Sequence, residues 1–81
     1  MQPLDAIRKM LDDSHITPYA AGIATGYSHT YVSNLFNRGT IPGVDRMATI
    51  ANACDYDLVL IPRNGGDSIP IDYTTKQDAT D

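Results

Sequence analysis

The side chains of this chain that could carry chemistry are few and scattered. Its two histidines, His15 and His29, and its one cysteine, Cys54, lie far apart with no metal-ligand spacing, so no metal site is expected. Asp12 and Asp13 are neighbours on one helical stretch and project in different directions, which suits surface charge better than paired acid–base work. Serine, histidine and aspartate all occur, but nothing suggests a nucleophile elbow or an oxyanion loop. Gly65-Gly66 reads as a turn, not a phosphate cradle. The expectation is a chain that is not an enzyme and holds no cofactor. What remains is a set of hydrogen-bonding side chains, His29, Thr30, Ser33, Asn34 and Asn37, which a helix would place on its outward side.

The elements that must position them can be read from hydrophobic period and punctuation. Leu4, Ile7, Met10 and Leu11 recur at helical spacing, which predicts a first helix from Leu4 to about Asp13, with Pro3 in its first turn. Ser14-His15-Ile16 breaks that pattern. Thr17-Pro18 restarts it, as a capping hydroxyl followed by a proline whose missing N–H costs nothing at a helix start. The second helix runs to about Thr25 and is rich in small residues (Ala20, Ala21, Gly22, Ala24), which would let another element approach closely.

Gly26-Tyr27-Ser28 then reads as a tight connection, with Gly26 ending one helix in the left-handed conformation and Ser28 capping the next. The third helix is expected from His29 to about Asn37, with Val32, Leu35 and Phe36 inward. Arg38 to Gly43 is a loop by its Gly and Pro content. A fourth helix follows from Val44 to about Cys54, with Val44, Met47, Ala48, Ile50, Ala51 and Cys54 as its apolar stripe. The period then changes: Leu58-Val59-Leu60-Ile61, ended by Pro62, predicts a strand. Asn64-Gly65 marks a turn, and Ser68 to Tyr73 a weaker strand that Pro70 confines to an edge. Tyr19, Tyr27 and Tyr31 are read as packing residues with wet hydroxyls, and Cys54 as a small core hydrophobe.

Eighty-one residues, 42% of them hydrophobic, make one small globular unit of marginal core size. One cysteine cannot staple it internally. No apolar run approaches the roughly 18 residues of a membrane span, and the N-terminus has no signal-peptide character, so a cytoplasmic protein without a membrane partner is expected. The net charge of −4 is unevenly placed. Residues 1–63 set six aspartates against Arg8, Lys9, Arg38, Arg46 and Arg63, for −1; residues 64–81 set Asp67, Asp72, Asp78 and Asp81 against Lys76, for −3. Between Ser14 and Ala53 the only formal charges are Arg38, Asp45 and Arg46.

A helix, a Gly-containing turn and a second helix with polar outward residues form a helix-turn-helix signature. With Thr17, Gly26 and Ser28 at its joints, Val32, Ser33 and Leu35 in its third helix, Gly39 and Pro42 in the following loop, and the segment from Pro42 to Ala53, the chain resembles the Cro/C1-type (XRE) helix-turn-helix family from residue 4 to about residue 60. The chain departs from the family pattern in four places: Gly22 stands where Ala is usual, Asp55 where Gly usually follows the fourth helix, Phe36-Asn37-Arg38 where a Glu-Arg or Glu-Asn pair is common, and Gly39 falls one residue late. The resemblance implies a mostly α fold, a lambda-repressor-like helix-turn-helix bundle of four to five short helices with a C-terminal β-strand or hairpin. It also implies that His29, Thr30 and Asn34 read base edges of double-stranded DNA, while Thr17, Ser28, Tyr31, Ser33, Asn37, Arg38 and Thr40 contact its backbone.

The expected organisation is a DNA-binding unit over residues 1–56, a strand or hairpin for dimerisation over 57–73, and a flexible acidic tail over 74–81. So few cations neutralise few phosphates, which favours two subunits on a palindromic site. Leu58, Val59, Leu60 and Ile61 would pair with their copies, since a lone strand leaves its edges unsatisfied. The leading expectation is therefore a homodimeric transcriptional regulator, a repressor of phage or mobile-element type. Two alternatives stand beside it: an antitoxin whose acidic tail grips a basic toxin while its helices repress its own operon, and a protein-interaction module that has lost DNA binding.

Overall fold

A computed structural model describes residues 1–73; the acidic tail proposed for residues 74–81 lies outside the described residues. Four short helices are followed by a small antiparallel hairpin: α1 (Pro3–Ser14), α2 (Pro18–Thr25), α3 (Tyr31–Arg38), α4 (Val44–Ala53), β1 (Leu58–Leu60) and β2 (Ile69–Ile71). Among the described residues, no helix is long and apolar enough to cross a membrane.

All four helices contribute to one core. Ile7 and Leu11 from α1, Ala21 from α2, Val32 and Leu35 from α3, and Ile50 from α4 bury together with Cys54, which closes α4. Ile7, Val32 and Ile50 are fully buried, each giving about 1.5–3 kcal/mol of apolar transfer. Leu4, Met10, Ile16, Tyr31, Phe36 and Met47 pack around this centre. Val44, the first residue of α4, departs from the expected apolar stripe and is 60% exposed. The Ser14 hydroxyl donates to the Cys54 carbonyl at 3.1 Å, joining the last turn of α1 to the end of α4.

The helix ends follow from their residues. Thr17 Oγ1 accepts the Ala20 N–H at 3.1 Å and Pro18 opens α2, as the sequence predicts. Gly26 closes α2 at φ 84°, and Gly39 closes α3 at φ 66°. His15 and Asp55 also adopt left-handed conformations, at φ 57° and 66°, without glycine's freedom.

The hairpin pairs Leu58 with Ile71, Val59 with Pro70 and Leu60 with Ile69. The turn and second strand expected after Pro62 are present, so the 57–63 strand does not keep both edges free for a second copy. One edge is taken by Ile69–Ile71 of the same chain, because the turn at Asn64-Gly65 folds the two apolar runs together. That turn has Gly65 at φ 87° donating to the Pro62 carbonyl, and Gly66 N–H donating to Asn64 Oδ1. Pro70 has no N–H, so its place opposite Val59 suits a non-hydrogen-bonded pair of the ladder. The outer edge of β2 then lacks a donor at its centre, whereas the outer edge of β1 keeps both Val59 backbone groups.

Candidate functional site

The connection between α2 and α3 is longer than the sequence suggests. It runs over residues 26–30, so His29 and Thr30 lie in a turn before α3 and not in its first turn. Ser28 does not cap α3 with its side chain. Its carbonyl accepts the Tyr31 N–H at 3.1 Å, its hydroxyl lies 3.3 Å from the Thr30 hydroxyl, and Thr30 holds the cap position without a side-chain bond. The cause is Gly22. A Cβ there would collide with the Ser28 carbonyl oxygen and lie 3.0 Å from the His29 carbonyl oxygen, so the backbone of this turn runs directly over α2. The buried Thr25 hydroxyl donates to the Gly22 carbonyl at 2.7 Å and accepts the Tyr27 N–H at 3.4 Å, which fixes the start of the turn.

The expected contact residues divide into three groups. Tyr31, Asn34, Arg38 and Thr40 come together: with Leu35 they line one open cleft of about 200 Å³ beside α3. Tyr31, Asn34 and Arg38 stand at i, i+3 and i+7, which places them on one helical face. His29 sits apart from that cleft, its ring 5.2 Å from that of Tyr19, which is 58% exposed. Asn37 is exposed, Ser33 is half-buried instead of outward, and Thr17 is occupied as a helix cap.

A further residue belongs to this surface and was not visible in the sequence. The Arg46 guanidinium, from the first turn of α4, lies 4.5 Å from the Tyr27 ring centroid and 5.3 Å from that of Tyr31. The two rings meet edge to face at 4.9 Å. Tyr27 is fixed in turn, its hydroxyl donating to Thr49 Oγ1 at 3.1 Å and Thr49 donating to the Asp45 carbonyl at 3.1 Å. The adjoining Tyr31 holds Arg46 above its ordinary pKa, with burial opposing and Tyr27 and Asp45 adding smaller effects. No short-range pattern links positions 27, 31 and 46, so only the packing of α4 on the α2–α3 connection brings them together.

Elsewhere two cations are otherwise engaged. Arg8 lies 4.3 Å over the Phe36 ring, and Lys9 pairs with Asp13 at 3.0 Å, the one ion pair among the described residues. No cluster of three or more metal-ligating side chains occurs among the described residues. Cys54 is 1% exposed, and burial pushes its thiol pKa up.

Among the proposed pairing residues, Leu58 and Val59 are half-buried, while Leu60 and Ile61 are 56% and 73% exposed. Leu60 faces Ile69, itself 60% exposed, across the hairpin. Comparison with protein-family models, with curated proteins and with solved structures returns no match.

Proposed function

We propose that this chain is a sequence-specific DNA-binding regulator, a transcriptional repressor that works as a homodimer on a palindromic site in the manner of Cro/C1-type helix-turn-helix proteins. One observation carries the reading: α3 gathers Tyr31, Asn34 and Arg38 on one face, with Thr40 beside them, around an open cleft. An exposed amide flanked by a cation and hydroxyls is the donor and acceptor set that base edges and phosphates require. Asn34 reads a base, adenine by its bidentate geometry, and Arg38 and Thr40 hold the backbone. His29 and Thr30, at the mouth of α3, take bases next to that contact. Ser28, Ser33, Asn37 and Thr17 complete the backbone contacts, Thr17 through the N-terminus of α2 that it caps.

Dimerisation is assigned to the outer edge of β1. The second copy fits there because that edge keeps a donor and an acceptor at Val59, and because Leu60, Ile61 and Ile69 expose apolar surface beside it. Antiparallel pairing of two β1 strands makes a four-stranded sheet and covers Leu60 and Ile61 in both subunits. Selection of bound duplexes from a random pool tests the whole reading, since it reports specificity, symmetry and half-site spacing together.

A further inference from the structure

Arg38 and Arg46 are the only cations between Ser14 and Ala53, and the fold sets both beside α3. Arg38 ends that helix and lines the cleft; Arg46 lies against Tyr31, which begins it. Tyr31 and Arg38 are seven residues apart, about 10 Å along the helix axis. That span is close to the roughly 12 Å width of a major groove. Arg46 is exposed, and among the described residues no carboxylate lies within ion-pair distance of it. Its neighbours are instead two aromatic rings, which lie within cation–π range without neutralising its charge.

Immobilisation has a physical consequence. A free arginine side chain loses rotamer freedom when it is fixed on a ligand. Arg46 has already surrendered much of that freedom to Tyr27 and Tyr31. The rings are anchored as well, through the hydroxyl chain from Tyr27 to Thr49 to the Asp45 carbonyl. The guanidinium carries five N–H donors, and the Arg46 side chain is exposed.

We infer that Arg46 is a pre-positioned phosphate contact which, with Arg38, brackets the two ends of the reading face, and that Tyr27 and Tyr31 are the platform holding it in place. The inference rests on the DNA-binding reading and adds to it a fixed second clamp on the backbone. Arg38 acts at the C-terminal end of α3 and Arg46 at the N-terminal end, so the duplex is gripped on both sides of Asn34. The contact carries no sequence information, so its loss weakens all duplexes alike.

The test uses the full chain, a duplex selected from a random pool, and the same duplex with single phosphates replaced by neutral methylphosphonates. Arg46→Ala and Arg46→Lys are compared with the parent, with circular dichroism confirming that each folds. Arg46→Ala should lower the steepness of log K against log salt by about 0.9 per subunit and leave the preferred sequence unchanged. One methylphosphonate position should weaken the parent and leave Arg46→Ala indifferent. Arg46→Lys keeps the charge and loses the planar guanidinium beside the two rings, so it should retain the parent's salt slope while binding more weakly. A parent that binds tightly beside an Arg46→Ala variant with the same affinity and slope would overturn the inference, leaving Arg46 a packing residue. A parent that selects no duplex at all would overturn the DNA-binding reading itself.

Discussion

The carbonyl oxygen of Ser28 occupies the space that a Cβ on Gly22 would need. This relationship sets the path of the whole α2–α3 connection. It also accounts for a glycine in the middle of a helix, where alanine would ordinarily be preferred by about 1 kcal/mol. Gly22→Ala gains that propensity and meets a backbone atom that cannot rotate away. Overpacking of this kind costs about 1–3 kcal/mol, so the variant should be net destabilised and unfold at lower denaturant concentration. An unchanged or raised midpoint would show that the turn can lift off α2 freely.

Asp55 illustrates the opposite case. It stands at φ 66° just after α4, a conformation that costs an L-residue about 1–2 kcal/mol and glycine nothing. Aspartate tolerates it better than most, so Asp55→Gly should raise stability by about 0.5–1 kcal/mol, read from the denaturation midpoint.

Cys54 should be silent in the folded chain. At 1% exposure its thiol is shielded, and burial raises its pKa. The folded state therefore holds its proton at pH values where the unfolded thiol, with a pKa of about 8.5, releases it. The stability linked to this group is fully present below the unfolded pKa and declines as pH rises through the folded one. Alkylation at pH 8 should be slow in buffer and fast in denaturant, and Cys54→Ala should flatten the alkaline fall in stability even though it lowers stability overall.

Leu60→Lys addresses assembly. The side chain is 56% exposed in the single chain, so the fold should survive the change. Across a two-fold axis through β1 it would bring two lysines into one sheet. Sedimentation equilibrium at micromolar concentration should give a dimer for the parent and a monomer for the variant. A monomeric parent would remove β1 from the account.

Much of this architecture is legible in the sequence because it is local. The period of Leu4, Ile7 and Leu11, the Thr17-Pro18 start and the Gly26 stop each act within one turn of backbone, and α1 and α2 fall where those signals put them, whereas α3 takes in Arg38, which the sequence assigns to the following loop. Asn64-Gly65 likewise locates the hairpin. The start of α3 is displaced because Ser28 and His29 are held by Gly22, through a close approach that no capping preference encodes. Arg46 was missed for a related reason: its place beside Tyr27 and Tyr31 is set by helix packing, and its nearest sequence neighbours say nothing of it. The polar face of α3 was visible as a pattern, but the gathering of Asn34, Arg38 and Thr40 around one cleft depends on the loop after Gly39 turning back beside the helix, where the Thr40 N–H donates to the Leu35 carbonyl.

The most direct measurement of the central claim is selection of bound duplexes from a random pool, run in parallel with the parent, Asn34→Ala and Arg38→Ala. The account predicts that the parent enriches a palindrome with half-sites about 34 Å apart. Asn34→Ala should lose about 1–3 kcal/mol and relax preference at one base position in each half-site. Arg38→Ala should weaken every duplex alike and reduce the salt slope by about 0.9 per subunit. A parent that enriches nothing, or three proteins that enrich the same site with equal affinity, would contradict the assignment of α3 as the reading element.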